Sequence, residues 1–302
     1  MRVFITGGSG WIGSGVVPAL IAAGHEVTGL ARSDASAAAL TAAGAAVRRG
    51  DIGDLAVLRE ESLAADAVVH LAFRHDIAFS GRFDEAVDAD RAAAEAIGEA
   101  LAGTGKVFGL ASGVPVTDGA AATEADGHDL GTDASGPARR FAVAEYVLGL
   151  AERGVRSMVF RFPIVYGAGD PGFTATMIQA DRDKGLAAWI GEGTNRWSGV
   201  HRDDAAELIR LAVENAPAGS TLHVVGDEGV AIRDLAAVVG ERLGIPTGSV
   251  APEDAAAHFG WLAGFLAHDR AASSEATRAL LGWRPEHPSF LADLEEGHYF
   301  KS

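Results

Sequence analysis

A glycine-rich segment at residues 6–13, TGGSGWIG, restricts the fold of this chain more than any other feature. Residues 3–6 before it form a short β-rich run, and residues 11–23 have the composition of a helix that Gly24 ends. Glycines at this spacing between a strand and a helix are typical of a loop that binds the diphosphate of a dinucleotide. The segment therefore predicts a dinucleotide-binding unit; the alternative is a glycine-rich turn without a ligand.

The residues of this segment have separate predicted roles. Gly7 and Gly10 are expected to form the tight turn and to let the backbone approach the diphosphate, and Gly13 to allow close packing of helix against strand. The backbone amides of Trp11 and Ile12 are expected to bind the diphosphate, because the first amides of a helix have no partner within it.

Short β-rich segments alternate with longer segments rich in Ala, Leu and Glu, a pattern that indicates a parallel sheet covered by helices. Strands are predicted at 3–6, 26–31, 46–49, 67–73, 107–111 and 157–162, and helices at 11–23 and 35–43. One conflict is Pro18, which removes a hydrogen bond inside the first helix. The fold class is α/β, a doubly wound parallel-sheet Rossmann domain with a smaller C-terminal α/β substrate lobe.

The pattern changes after Pro163, where Gly/Asp-rich turns interrupt the alternation. We assign residues 1–165 to the nucleotide-binding domain and residues 166–302 mainly to the substrate lobe, with residues of about 200–230 returning to the first domain. The later elements predicted are helices at 203–215 and 232–243 and a strand at 222–225.

Composition excludes several classes of partner and site. The chain has 25 basic and 41 acidic side chains, a formal net charge of -16, which should repel nucleic acid and anionic membranes. It has no cysteine, which excludes disulfides and thiolate metal sites. No segment reads as a signal peptide or as an apolar span of about 18 residues. We expect a cytoplasmic protein that binds a small-molecule substrate.

The end of the second predicted strand bears on the choice of nucleotide. It reads LARS, with Arg32 and Ser33 where an NAD-specific protein has a carboxylate for the ribose hydroxyls. A guanidinium and a hydroxyl suit the additional phosphate of NADP(H), so we expect NADP(H) to be preferred over NAD(H). Asp34 argues the other way, and the alternative for Arg32 is a solvated surface charge.

A second nucleotide contact is predicted after the third strand. Asp51 and Ile52 follow it directly, where a short acid and an apolar side chain are suited to flank the adenine. A surface turn fits the same spacing.

Several motifs together resemble the extended short-chain dehydrogenase/reductases. They are TGGSGWIG, GD at 50–51, HLA at 70–72, RFPIVYG at 161–167 and VHRDDAA at 200–206. The resemblance implies a Rossmann domain, a C-terminal substrate lobe and a possible homodimer formed through two long helices. It also implies which residues line the nicotinamide half of the cofactor: Leu71, Ala72, Phe73, Pro163 and Val165.

The chain departs from that family at its usual catalytic set. Ser112 falls at the position of the family's Ser/Thr, but no tyrosine has a lysine four residues later. Alignment on Glu145 puts Pro137 and Phe141 where the Tyr and Lys belong, with Arg139 and Arg140 beside them. The chain therefore resembles an atypical member, similar to NAD-dependent epimerases/dehydratases but without the Tyr-x-x-x-Lys pair.

Four residues are candidates for catalysis. Ser112 is suited to donate to a substrate oxygen, and His75 after the fourth strand to exchange a proton near neutral pH. Tyr166 is a second possible donor, and Arg140 a possible cation for a carbonyl or an anionic substrate. His75, Tyr166 and Arg140 each have a plainer alternative: an exposed loop histidine, a structural tyrosine and a solvated arginine.

Two further groups of residues remain open. His201, Asp203 and Asp204 could suggest a metal site, but the resemblance makes them the start of a helix, and we expect no metal. An aromatic set in the C-terminal lobe could line an apolar pocket or form core; it comprises Trp189, Trp197, Phe259, Trp261 and Phe265.

The function that these features favour is an NADP(H)-dependent oxidoreductase. It would reduce an apolar or aromatic carbonyl, or a related C=N or C=C bond, with a non-standard catalytic set. One alternative is an epimerase or dehydratase that keeps its cofactor bound. Another is a catalytically inactive NADP(H)-sensing regulatory protein, which the missing Tyr and Lys would also fit.

Overall fold

The computed structural model describes residues 1–78, 80–117, 119–127 and 136–301. Its strands are β1 Arg2–Thr6, β2 Glu26–Ala31, β3 Ala46–Arg49, β4 Ala67–His70, β5 Val107–Gly113, β6 Arg156–Phe162, β7 Ile164–Tyr166, β8 Ala187–Ile190, β9 Arg196–His201, β10 Ser220–His223, β11 Asp227–Ala231 and β12 Thr247–Val250. Its helices are α1 Gly13–Ala22, α2 Asp34–Ala42, α3 Leu55–Ala64, α4 His75–Ala78, α5 Phe83–Leu101, α6 Pro137–Gly149, α7 Phe173–Lys184, α8 Arg202–Asn215, α9 Ile232–Leu243, α10 Ala255–Phe259, α11 Ala263–Leu266, α12 Glu275–Leu281 and α13 Phe290–Glu295. None of the helices in these ranges is both long enough and apolar enough to span a bilayer.

The largest sheet is parallel and covered on both faces. Within the described part of the chain it has seven strands in the order β10-β6-β5-β4-β1-β2-β3. Helices α1 and α8 pack together over one apolar cluster on the sheet, and α3, α5 and α6 cover a second. Strands buried on both faces need continuous apolar runs, which β1 and β4 have. The predicted doubly wound α/β fold is confirmed.

The order of the strands places a crevice above β1 and β4. The chain runs from β1 outward to β3 and then crosses back to β4 on the other side of β1. At such a switch point the loops after the two neighbouring strands diverge, and ligands of open α/β sheets bind there. The glycine-rich segment follows β1, and the HLA motif ends β4.

A second lobe, which we define by its own buried apolar cluster, contains β7–β9, β11, β12, α7, α9–α11 and α13. Strands β11, β9 and β7 form one small sheet, and β12 pairs with β8 in another. Between these elements the chain returns to the large sheet, where α8 packs on α1 and β10 pairs with β6.

Several predicted boundaries were wrong by one to three residues. The first helix begins at Gly13 rather than residue 11, which leaves two residues of the loop outside it. Strand β4 ends at His70 rather than residue 73, because the amides of Leu71 and Ala72 turn to the carbonyl and hydroxyl oxygens of Thr6. Strand β10 spans Ser220–His223 rather than 222–225.

The proline conflict in the first helix has a local explanation. Pro18 does lie inside α1, but on its exposed face, while Val16, Val17 and Leu20 are buried against the sheet. Water can therefore bind the carbonyl group that the proline leaves without an intrahelical partner.

Candidate active site

The glycine-rich segment forms a loop in which side chains have no room. Gly7 has φ +73°, and a Cβ on it would lie 2.7 Å from the amide nitrogen of Ala72. A Cβ on Gly13 would collide with the Gly7 carbonyl oxygen, to which the Gly10 amide also donates at 3.0 Å. The loop therefore needs glycine at positions 7 and 13 to fold this tightly, as the diphosphate loops of dinucleotide-binding proteins do.

The amides at the start of α1 are available to a ligand. The first helical hydrogen bonds are donated by Ser14 to Gly10 and by Val16 to Ile12. No residue in the described ranges accepts from the amides of Trp11 or Ile12. Free amides at a helix start favour an anion, so the loop fits the diphosphate of a dinucleotide.

A buried polar chain lies beneath this loop. Thr6 Oγ1 is 2.6 Å from His70 Nδ1, and His70 Nε2 is 3.3 Å from Asp90 Oδ1. All three residues are at most 2% exposed. The Thr6 hydroxyl and His70 Nδ1 share a hydrogen bond, whereas Nε2 faces the Asp90 carboxylate and makes no hydrogen bond with a described residue. The chain joins β1, β4 and α5 at the floor of the crevice.

The charged residues at the tip of β2 are exposed and weakly paired. Arg32 Nη1 lies 3.3 Å from Asp76 Oδ2, and both side chains are more than half exposed. Ser33 caps α2 by accepting from the Ser36 amide at 3.1 Å, while Asp34 pairs with Arg49. The Asp34 carboxylate, which in the sequence counted against binding of the NADP(H) phosphate, therefore pairs with Arg49.

The two residues predicted to flank the adenine have different surroundings. The Asp51 carboxylate accepts from the Gly53 amide at 2.9 Å and pairs with Arg74. Ile52 is 6% exposed and belongs to the apolar cluster under α3 and α5. The backbone of this turn lies at the carboxyl edge of the sheet, but most of the Ile52 side chain is core.

Three of the predicted site residues meet after β4. The Arg140 guanidinium carbon lies 4.0 Å from the centre of the Phe73 ring, and the His75 ring meets Phe73 edge-on at 5.2 Å. Burial lowers the pKa of Arg140, which Asp90 partly offsets, and its buried Nε has no hydrogen-bond partner among the described residues. Desolvation and the Arg140 charge together lower the pKa of His75, which favours a neutral imidazole.

Ser112 lies on β5, next to β4 in the sheet. His70 pairs with Leu110, so Ser112 is two residues further along, level with the loop that holds Ala72. The serine is 4% exposed, and its Oγ has no hydrogen-bond partner in the part of the chain described. A buried hydroxyl without a partner at a sheet edge is suited to bind a ligand oxygen. Phe141 stands 3.8 Å from a Cβ placed on the adjacent Gly113.

The structure does not bring Tyr166 to these residues. Its hydroxyl donates to Asp227 Oδ2 at 2.6 Å and to the Pro288 carbonyl oxygen at 3.0 Å. Its ring stacks on Phe290 at 4.6 Å, and the residue is 2% exposed. Burial and Asp227 raise the pKa of the phenol. Tyr166 is part of the core of the second lobe, and its predicted catalytic role is corrected accordingly.

The loop and the second lobe are joined by one side chain. Trp11 Nε1 donates to the carbonyl oxygen of Val165 at 3.0 Å, and the Arg202 guanidinium covers the indole at 4.7 Å. Pro163 and Val165, predicted to face the nicotinamide, thus stand at the start of the second lobe, beside the glycine-rich loop.

His201 and Asp204, at the end of β9 and the start of α8, join α8 to the chain segment at residues 286–287. His201 Nδ1 accepts from the Asp203 amide and so caps α8. Asp204 accepts from the amides of Glu286 and His287 at 2.9 and 3.1 Å, and its Oδ1 is 2.8 Å from His287 Nδ1. Ligating atoms of His201, Asp204 and His287 lie within 4.8 Å of one another. The Asp204 oxygens are nevertheless occupied by these donors, which agrees with the expectation of a helix start.

Sequence reasoning missed His70 and Asp90 as site residues. A signal was present in α5, where Asp90 interrupts a buried stripe formed by Ala86, Val87, Ala93, Ala94 and Ile97. An acid within an apolar helical face needs a partner, and that partner lies on β4, far away in sequence.

Comparison with known proteins places the chain in a family. The profile of the NAD dependent epimerase/dehydratase family matches residues 3–226. An uncharacterized protein of Schizosaccharomyces pombe is 41% identical over 99% of this chain and 100% of its own length. A 3-diazoavenalumate denitrifying reductase of a Streptomyces species is 30% identical over 97% of this chain and 99% of the relative.

Solved structures agree on the fold. A UDP-glucose 4-epimerase of Thermotoga maritima superposes with a TM-score of 0.77, covering 99% of this chain and 98% of that one at 19% identity. The predicted resemblance to extended short-chain dehydrogenase/reductases is confirmed. The glycine loop, the switch-point crevice and the profile match over most of the chain agree, and the chain belongs to the NAD dependent epimerase/dehydratase family.

Proposed function

We propose that the protein is an NADP(H)-dependent oxidoreductase that reduces a carbonyl group, or a related C=N or C=C bond, of an apolar or aromatic substrate. The observation that carries the proposal is the Ser112 hydroxyl, which is buried without a described partner at the edge of the sheet where the cofactor loop lies. Ser112 provides a donor there, and Arg140 on the Phe73 ring provides a positive charge.

The chain's own residues fit a nicotinamide dinucleotide. The amides of Trp11 and Ile12 would hold the diphosphate, and the glycines at 7 and 13 let the backbone pack closely enough to form the loop that presents these amides. Arg32 would exchange its exposed Asp76 partner for the phosphate of NADP(H), because an exposed pair contributes little and a phosphate offers more acceptors. The nicotinamide ring, when bound, supplies or accepts the hydride.

The residues around Phe73 would stabilise the charge that develops on the substrate. Ser112 Oγ–H donates to the substrate oxygen, and the guanidinium of Arg140 offsets negative charge on it. His75 lies at the surface beside the same ring, and its lowered pKa keeps it neutral near pH 7, so we propose that it exchanges the required proton with solvent.

Relatives with named activities support reduction over epimerisation. Besides the 3-diazoavenalumate denitrifying reductase, a 4-hydroxy-2-methyl-3-oxo-4-farnesyl-3,4-dihydroquinoline-1-oxide ketoreductase of Stigmatella aurantiaca is 28% identical over 81% of this chain and 74% of its own. The family profile and the fold neighbours favour epimerase or dehydratase chemistry as the second candidate.

Consumption of NADPH, and separately of NADH, should be followed by absorbance against aromatic ketones, quinones, imines and enones. We expect turnover with NADPH and slower turnover with NADH. A tightly bound cofactor that copurifies and is not consumed would favour the epimerase or dehydratase. Binding of cofactor without conversion of any member of the panel would count against the reductase.

A further inference from the structure

The second lobe contains an arginine whose charge is not compensated. Arg270 follows α11 and is half-buried, and desolvation lowers the pKa of its guanidinium. Within the residues that the structure describes, no carboxylate pairs with this guanidinium and no hydrogen bond reaches its buried Nε. A partly desolvated cation without a counter-ion opposes folding, so an anionic ligand would stabilise it.

The nearest acid in sequence does not serve Arg270. Asp269 accepts from Nε and Nη2 of Arg196 at 3.1 and 2.6 Å, and from the Arg196 amide at 2.6 Å. Arg196 thus binds both oxygens of the Asp269 carboxylate through its guanidinium and one of them also through its amide, so this carboxylate is engaged by Arg196 and not by Arg270.

The backbone of Arg270 is held on both sides. Its amide donates to the Arg196 carbonyl oxygen at 2.7 Å, and its own carbonyl oxygen accepts from the amide and hydroxyl of Ser198 at 3.1 and 2.7 Å. The side chain therefore starts from a fixed point beside β9, where a ligand group can be bound with little loss of conformational freedom.

The surroundings of the guanidinium are aromatic. Its central carbon lies 4.9 Å from the centre of the Phe265 ring. Phe265 meets Phe173 edge-on at 4.9 Å, and Trp261, which is 45% exposed, stands 5.4 Å from Phe173. The aromatic set that could have been either pocket or core is thus divided: Trp197 is fully buried, whereas Trp261 and Phe265 reach solvent.

The chain segments that carry Arg270 and Ser112 lead into one buried cluster. Val114 and Ala272 belong to this cluster, two residues beyond Ser112 and Arg270 respectively. Each of the two site residues is therefore about 7 Å of extended chain from it. The assignment requires a substrate that extends from one residue toward the other.

We infer that Arg270 binds a carboxylate of the substrate, whose apolar or aromatic body lies against Phe173, Trp261 and Phe265. This assignment rests on the proposed reductase function, for which it names the substrate class: an aromatic or apolar carbonyl compound that carries one acid group. A single guanidinium matches a carboxylate through two parallel hydrogen bonds.

The isolation of the charge separates this class from a diphosphate-bearing substrate. The neighbouring Arg196 is neutralised by Asp269, so the Arg270 guanidinium is the positive charge left for a ligand there. A diphosphate carries more charge than one guanidinium can neutralise, whereas a carboxylate is matched by it.

The test compares an acid with its neutral isostere by titration calorimetry on the full chain, with and without NADP(H). The probes are 3-phenylpropanoate and 3-phenylpropanamide, and the variants are Arg270→Gln and, as a matched control, Arg182→Gln at an exposed position of α7. We expect wild type and the control to bind the acid about thirty-fold or more tightly than the amide. In Arg270→Gln this ratio should fall to near one.

Equal affinity of the wild type for acid and amide would overturn the assignment, and so would a preference that persists in Arg270→Gln. Thermal unfolding adds a second readout: removal of an uncompensated buried charge should leave the melting temperature unchanged or raise it. A marked fall would identify Arg270 as a structural group instead. A charge preference in calorimetry, together with no oxidation of NADPH by any ketone, quinone, imine or enone of the activity panel, would contradict the reductase and leave the Arg270 site standing.

Discussion

At the scale of single residues, the charges near the crevice differ in how far the protein itself compensates them. Arg32 has an exposed partner at 3.3 Å, and Asp269 binds Arg196 through two of its nitrogens. Arg140 and Arg270 form no ion pair with a described residue, and Asp90 offsets the charge of Arg140 only in part. Ion pairs in solvent contribute little to stability, and uncompensated buried cations oppose it. The last two are therefore the charges most open to ligands.

Arg32→Ala should weaken NADPH binding about tenfold or more and leave NADH binding nearly unchanged, because only the phosphate of NADPH is expected to meet the guanidinium. Fluorescence titration with both cofactors measures this directly. Arg59→Ala on α3 is the surface control. Equal losses for the two cofactors, or none, would exclude Arg32 as the selective residue.

Ser112→Ala should lower kcat about 10²-fold with NADPH affinity retained, because the hydroxyl is proposed to act on the substrate oxygen and not on the cofactor. Steady-state kinetics together with cofactor titration separate the two effects. A variant as active as wild type would remove Ser112 from the site.

The carboxyl group of Asp293 on α13 should make the stability of the fold depend on pH. Burial, helped by the charges of Glu296 and Asp170, raises its pKa to about 7. The surrounding groups are His201 Nε2 at 4.0 Å and His298 Nε2 at 3.3 Å. A carboxyl whose folded pKa exceeds its unfolded one keeps its proton only in the folded state, so its contribution falls as pH rises from about 4 to about 7.

Asp293→Asn should therefore be more stable than wild type above about pH 8, and the difference should shrink toward about pH 4. Urea unfolding across this range gives the two curves. Asp234→Asn, at an exposed position of α9, should run parallel to wild type throughout. A constant offset for Asp293→Asn would show that its carboxyl titrates normally.

At the scale of elements, the sequence predicted correctly the limits of strands and helices that depend on residues near each limit. Strand β2 and helix α9 match their predicted limits, since alternation and a closing glycine set both. Strand β4 ended early because Thr6, distant in sequence, takes the amides of Leu71 and Ala72. The Thr6–His70–Asp90 chain and the Arg270 environment depend on three-dimensional neighbours, which one sequence does not reveal.

Pro18→Ala tests the explanation for the proline in α1. The substitution restores an intrahelical donor on an exposed face, so we expect a gain of about 1 kcal/mol in the free energy of unfolding, reduced by the greater freedom of the unfolded chain. Chemical denaturation measures it. A loss of stability would mean that the helix is bent at Pro18 to fit α8.

At the scale of the whole molecule, the C-terminal segment is tied to the nucleotide-binding sheet by Asp204. This carboxylate, on α8, accepts two backbone amides at positions 286 and 287, just before α13 of the second lobe. Helix α8 itself packs on α1, which carries the cofactor loop at its start. Asp204 therefore links the apolar cluster beneath α1 and α8 to the apolar cluster of the second lobe.

Asp204→Ala should cost roughly 2–4 kcal/mol of unfolding free energy, because two amides lose a charged acceptor in a buried place. Asp203→Ala, whose side chain is 41% exposed and pairs only with its neighbour Arg202, should change stability by less than about 1 kcal/mol. Denaturant unfolding of both variants gives the comparison. Similar values for the two would assign no special role to Asp204.

The contact between Arg32 and Asp76 has a consequence for the pace of catalysis. If the phosphate of NADP(H) binds Arg32 as proposed, the Asp76 carboxylate of α4, 3.3 Å from the guanidinium, can replace the phosphate when the nucleotide leaves. The exposed pair is weak, but it makes release of the nucleotide less unfavourable than release from an unpaired arginine. Easier release of the nucleotide brings no advantage to an enzyme that keeps one cofactor through many cycles. It is an advantage to an enzyme that must exchange oxidised for reduced cofactor at every turnover.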